Sequence, residues 1–232
     1  MEQLFTSLRI TGLLALLGAL LYAVGDVLLL ASKASLDQYP KLKPFAKLLS
    51  DAEKMVVLPP NRMIWGALLG VFATPLVLAG IWQVYQGLSG ADESLTLVTG
   101  LLFGVGLVIG AFVHGTFYYM GEYIQALNKV EDSSQPVIAG MIERHRKVLI
   151  ITYAPVLLFI LIASILFSIL VASGRTAFPV WMAAINPVTM TIAWLLIKRI
   201  LPQFVRDWTE GAGFNIAFLV FFACTTATLW NP

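Results

Sequence analysis

Apolar positions run along this chain in six long blocks, at residues 8–31, 63–88, 95–127, 148–173, 178–197 and 211–230, and formal charges are almost confined to the gaps between them. Each block is near or above the ~20 residues that an α-helix needs to cross hydrocarbon. The pattern predicts an all-α, polytopic transmembrane bundle of six spans. The first block has a poor basic start in Glu2 and Arg9, Asp26 interrupts its far end, and no small-residue cleavage pattern follows. It is therefore expected to be a retained span and not a secretory signal.

Only the first gap between basic-flanked blocks is long. From Pro44 it sets Phe45, Leu48, Leu49, Ala52 and Met55 against Lys47, Asp51, Glu53 and Lys54, the pattern of an amphipathic helix. A basic amphipathic segment beside a membrane lies in its interface, and an interfacial helix is expected here. The gap with Glu131, Asp132, Ser133, Ser134 and Pro136 reads as a solvated turn.

Thirteen Lys and Arg residues fall in alternate gaps: Lys33, Lys41, Lys43, Lys47, Lys54 and Arg62, then Lys129, Arg144, Arg146 and Lys147, then Lys198, Arg199 and Arg206. Only Arg9 and Arg175 fall in the others. Under the positive-inside rule this bias places both termini on the non-cytoplasmic side. Indole rings favour the headgroup level. Trp65, Trp194 and Trp208 fall at expected cytoplasmic ends, and Trp82, Trp181 and Trp230 at the outer ones.

Composition adds little to this picture. The 232 residues are 59% hydrophobic and 12% charged, against roughly 25% charged in a soluble domain, so a single integral membrane domain over residues 1–232 is expected. A net charge of +2 gives no reason to expect nucleic acid. Cys224 is the only cysteine, which excludes an internal disulfide. Small residues at four-residue spacing in the third block (Gly100 and Gly104, Gly106 and Gly110, Ala111 and Gly115) predict close helix packing there. Pro75, Pro155 and Pro187 interrupt three other spans.

Ionisable side chains inside spans cost a few kcal/mol and default to functional hypotheses. Three fall there: Asp26, His114 and Glu122. His114, Tyr118 and Glu122 stand at i, i+4 and i+8, on one helix face. Blocks one and three run in the same direction, and the rise from Arg9 to Asp26 (~25 Å) nearly equals that from Thr96 to His114 (~27 Å). The expectation is that Asp26 and His114 pair and, with Tyr118, Glu122 and Asn215, line a ligand-binding pocket open to the cytoplasm. In the competing reading Asp26 and Glu122 reach headgroup water and His114 bonds a carbonyl. Thr11, Gly12, Leu13, Leu14, Gly18 and Asp26 also align with Thr99, Gly100, Leu101, Leu102, Gly106 and His114 at one offset, as in a parallel repeat or by chance between Leu- and Gly-rich segments.

No complete catalytic or metal set accompanies these residues. Haem held from two spans needs a second axial ligand, and His145 sits in the basic run from Arg144 to Lys147. A zinc site needs three or four convergent ligands. No metal and no cofactor is expected. The expected function is binding or transport of a small or lipid-like molecule. An enzyme using Asp26 and His114 as acid and base on a membrane-dissolved substrate is the alternative, and a membrane scaffold the second. Membrane lipids and the ligand are the expected partners, and self-association stays open.

Gly18, Gly25, Asp26 and Leu28, Leu29 and Leu30 near the start, and Asn186, Pro187, Leu201, Pro202, the run Gly211, Ala212, Gly213, Phe214, Asn215, and Phe221 and Phe222 near the end, resemble a family of uncharacterised bacterial multi-spanning proteins. The resemblance covers most of the chain and implies a bacterial cytoplasmic membrane. It implies nothing about substrate.

Overall fold

The computed structural model describes residues 2–49 and 52–230. Among the described residues eight α-helices follow one another, α1 (Glu2–Leu30), α2 (Ala46–Leu49), α3 (Pro60–Gly87), α4 (Glu93–Lys129), α5 (Gln135–Ala172), α6 (Pro187–Ile197), α7 (Gln203–Trp208) and α8 (Gly213–Thr228), with short 3-10 turns between some and no strand. Four of these, α1, α3, α4 and α5, are long and apolar enough to cross a membrane. The chain is an all-α protein of membrane type.

The helices close into a ring. α1 packs along α3 and α8, α3 along α4, and α4 along α5, while the turn Val180–Ala184 and α6 connect α5 back to α8. Outward faces carry exposed Leu13, Leu17, Val108, Phe112, Leu158 and Ile165, the surface that hydrocarbon and not water solvates. One core holds Phe103, Phe167, Phe221 and Phe222, and a second holds Leu42, Leu49, Met55, Met63, Ile124 and Leu127.

The tightest helix seam is not in the third block. A Cβ on Gly25 would meet the Gly66 carbonyl oxygen at 2.7 Å, and one on Gly18 the Val77 amide at 3.0 Å, so α1 and α3 approach backbone to backbone. At Gly100, Gly106 and Gly115 the nearest atoms stand at 3.1–3.3 Å and belong to side chains, and at Gly110 nothing lies within 4 Å. Four-residue spacing recurs wherever Gly is frequent. Which seam uses it depends on the partner helix, and here the partner glycine that meets Gly25 is Gly66.

The expected span at 178–197 is divided. Asn186 caps α6 by accepting hydrogen bonds from the Val188 and Thr189 amides, each at 3.0 Å, and Pro187 takes the first helical position. A capping Asn followed by Pro starts a helix, so Pro187 does not interrupt a span but opens α6. The 11 residues of α6 reach only ~17 Å. The turn Val180–Ala184 and the break at Ile185 precede it.

The single interfacial helix expected from Pro44 is also replaced, by the 3-10 turn Pro40–Phe45, the four-residue α2 and the turn Ala52–Val57. Two prolines four residues apart, Pro40 and Pro44, remove the amides a regular helix would use. Its apolar face turns inward: Leu42, Leu49 and Met55 are buried in the second core. Asp51, expected on the polar face, lies outside the described residues.

The basic gaps gather at one end of the ring. Lys41 donates to the Val130 carbonyl at 3.2 Å, Arg146 bonds the carbonyls of Lys47 and Leu48, and Lys54 meets Glu210 at 2.5 Å. At the opposite end Arg9 donates to the Trp230 carbonyl at 2.8 Å, Gln83 to the Leu8 carbonyl at 3.0 Å, and Ala177 to the Gly87 carbonyl at 2.9 Å. The start of α1 and Trp230, just beyond α8, therefore share the end that carries few cations.

Candidate functional site

Asp26 sits one turn before the end of α1, and His114 is in the middle of α4. Their equal rise from the same end of the ring brings His114 Nε2 to 3.2 Å from Asp26 Oδ1, with 8% and 14% of the two side chains exposed. Asn215, in the first turn of α8, donates from Nδ2 to Asp26 Oδ2 at 2.6 Å. Three helices distant in sequence thus meet at one carboxylate.

The imidazole is held from three sides. Nδ1 stands 3.2 Å from the Ala67 carbonyl, and since a carbonyl only accepts, Nδ1 carries a proton. A Cβ on Gly25 would approach His114 Cε1 at 3.0 Å, and one on Gly70 would stand 2.5 Å from Nδ1, so the ring lies in a slot cut by two glycines. The Tyr22 ring meets it edge-on, with centroids 5.3 Å apart at 74°. Tyr22 is itself fixed: Thr74 donates to the Gly70 carbonyl at 3.0 Å, so Tyr22 donates to Thr74 Oγ1, at 2.5 Å, and its hydroxyl hydrogen turns away from the carboxylate.

Nε2 is left in an unusual position. It is buried, and although Oδ1 is near, the approach is off the hydrogen-bonding direction, so no well-formed bond reaches it. With Nδ1 protonated, Nε2 of a neutral ring is an acceptor facing a carboxylate. Two acceptors this close repel unless a proton or another donor stands between them.

The group opens onto a cavity of about 310 Å³ between α1, α4, α5 and the start of α8, near the lower bound of ligand pockets, roughly 300–1,000 Å³. Its walls are apolar: Leu107, Gly110, Val113 and Phe117 from α4, Leu149, Ile150, Val156 and Ile160 from α5, and Phe214 from α8. Tyr153 adds a hydroxyl-bearing ring. No Lys or Arg is among the described residues that line it. Ile150 and Tyr153, 63% and 42% exposed, stand at its mouth. α5 and α8 meet through Phe167 and Phe221, centroids 5.2 Å apart, and toward the basic end the cavity stands between them.

The loop before α8 explains its glycines. A Cβ on Gly211 would collide with Leu30 of α1, and one on Gly213 would come within 2.8 Å of Trp194 Nε1. This double close approach puts Asn215 against Asp26.

Of the five residues singled out in the sequence, the structure brings Asp26, His114 and Asn215 together. Tyr118 and Glu122 lie further along α4 toward the basic end and line no part of the cavity; Tyr118 packs edge-on against Tyr119 and faces Glu122. The heptad-like stripe drifts about 80° over eight residues, enough to carry its far end off the cavity. Sequence reasoning missed Tyr22, Phe117, Tyr153 and Phe214, because aromatic residues in apolar spans carry no distinguishing signal. Gly70 was equally silent, and Gly25 entered the sequence reading only through the family resemblance, with no role at the site. Among the described residues no three His, Cys, Asp or Glu side chains converge as a metal site.

No curated protein and no solved structure matches the chain. A family model does match it, over residues 1–231, and its description is a family of unknown function, DUF6796. With all but the last residue inside that match, the chain is a member of the DUF6796 family.

Proposed function

We propose that this membrane protein binds a small or lipid-like molecule in the cavity between α1, α4, α5 and α8, and that Asp26, His114 and Asn215 hold its polar end. The observation that carries the reading is the buried Nε2 of His114, which has no well-formed hydrogen bond and sits beside a carboxylate at the end of an apolar cavity of about 310 Å³. An intramembrane acid and imidazole cost stability, and a ligand that satisfies them returns it. Tyr118 and Glu122 are not needed in this set.

In this reading the chain crosses the bilayer six times. The turn Val180–Ala184 and α6 together form the fifth crossing and α8 the sixth. The cation-rich end faces the cytoplasm of a bacterial cell and both termini face away from it, supported by the gathering of basic gaps at one end of the ring. The cavity then lies in the cytoplasmic half of the membrane, with its mouth at Ile150 and Tyr153 facing lipid.

The test uses Gly110, which lines the cavity with nothing within 4 Å of its missing Cβ. Gly110→Leu starts from a Cβ position with open space around it and puts apolar volume into the cavity. Wild-type protein purified in a maltoside detergent is expected to carry a co-purifying mass by native mass spectrometry that Gly110→Leu lacks. Identical small-molecule content in the two proteins would refute the proposal. A catalytic role for Asp26 and His114 as acid and base is the second reading, favoured by the same free ring nitrogen; conversion of the bound molecule by purified protein separates it from binding alone.

A further inference from the structure

We infer that the ligand is an amphiphile with a primary or secondary ammonium head, a deduction that rests on the cavity being a binding site. With Nδ1 of His114 donating to the Ala67 carbonyl, Nε2 of the neutral ring and Asp26 Oδ1 are two acceptors 3.2 Å apart that no well-formed hydrogen bond joins. What the site lacks is a donor with more than one N–H and a positive charge. An ammonium group supplies both, bonding Nε2 and the carboxylate together. A carboxylate or phosphate head would add a third acceptor, and the lining offers no Lys or Arg to receive it.

The walls agree with the same chemistry. Phe117, Tyr153 and Phe214 are among the side chains that line the cavity, and aromatic faces attract cations. Tyr22 cannot compete for the carboxylate, because its hydroxyl is committed to Thr74. The remaining lining is aliphatic and leads outward to exposed Ile150. A polar head enters first and an alkyl tail trails toward lipid.

The experiment is thermal unfolding of the purified protein in maltoside with dodecylammonium, dodecyltrimethylammonium, dodecanol and dodecanoate at equal free concentrations. Dodecylammonium is expected to raise the midpoint by about 5 °C at a hundredfold excess over its Kd. The trimethyl compound keeps the charge but has no N–H, and is expected to bind at least tenfold more weakly. Asp26→Asn and Gly110→Leu should each abolish the dodecylammonium shift; Gly110→Leu leaves the polar group intact, so it decides the matter if Asp26→Asn folds poorly. Lysophosphatidylethanolamine, tested in parallel, separates sources: stabilisation by it as well points to a phospholipid head, and by dodecylammonium alone to a free amine.

Equal shifts from dodecanol, dodecanoate or the trimethyl compound would overturn the ammonium assignment while leaving the cavity a binding site. No shift from any member of the series would overturn both.

Discussion

His114 lies so close over Gly70 that a methyl group on that α-carbon would stand 2.5 Å from the ring Nδ1. The glycine is part of the site although it carries no functional group. Gly70→Ala must move either the imidazole or the backbone of α3, and overpacking of this kind costs about 1–3 kcal/mol. His114→Ala removes the obstacle. The double variant Gly70→Ala with His114→Ala is therefore expected to be no less stable than His114→Ala alone in thermal unfolding, a coupling that a double-mutant cycle reads directly. Additive losses would show that the ring does not occupy the slot.

Asn215 supplies the donor to Asp26 Oδ2 at 2.6 Å. Asn215→Ala leaves that oxygen half-buried without its bond, and an orphaned acceptor of this type costs about 1–3 kcal/mol, more when charged. The midpoint should fall, and pairing it with Asp26→Asn should recover part of the loss. An unchanged midpoint in Asn215→Ala would mean that water replaces the amide freely.

Arg62 closes the end of α1. Its guanidinium donates to the carbonyls of Leu28 at 2.7 Å, Val27 at 3.1 Å and Ala31 at 2.6 Å, satisfying oxygens that a helix end leaves free. Lysine has a single donor head in place of a planar fork, so Arg62→Lys should destabilise nearly as much as Arg62→Ala, by about 1–3 kcal/mol. Amide exchange at residues 27–31 should accelerate in both. Protection equal to wild type in Arg62→Lys would contradict this account of the α1 terminus.

Much of this site was legible because helix rise is fixed. Asp26 and His114 stand at matched distances from the same end of two co-directional helices, and level alone was enough to pair them. Asn215 followed from its place at the start of the last span. Other features were hidden for physical reasons. Gly25 and Gly66 meet each other's backbone and Gly70 meets the His114 ring, contacts with partner helices that a spacing pattern within one helix does not specify, and the glycines of α4 drew attention that belonged to α1 and α3. Pro40 and Pro44 broke a segment whose amphipathic period was genuine, and its apolar face found Ile124 and Leu127 of α4 in place of lipid. Asn186 and Pro187 signalled a helix start that a uniform apolar run concealed.

The proposed orientation in the membrane rests on the two ends of the ring. Ser89 and Ser133 are both exposed and lie at opposite ends. In a Cys224→Ser background, Ser89→Cys should react with a membrane-impermeant maleimide in intact bacterial cells, and Ser133→Cys only after the membrane is opened. The reverse pattern would invert the proposed topology.

The occupant of the cavity is the centre of the account, and a density map of the protein purified in mild detergent addresses it most directly. Elongated density is predicted with its head between His114 Nε2 and Asp26 Oδ1 and its tail passing Gly110 toward Ile150, and it should be missing from Gly110→Leu. A wild-type cavity holding only water, or closed by Tyr153 folding onto Asp26, would contradict the claim that a ligand completes this site.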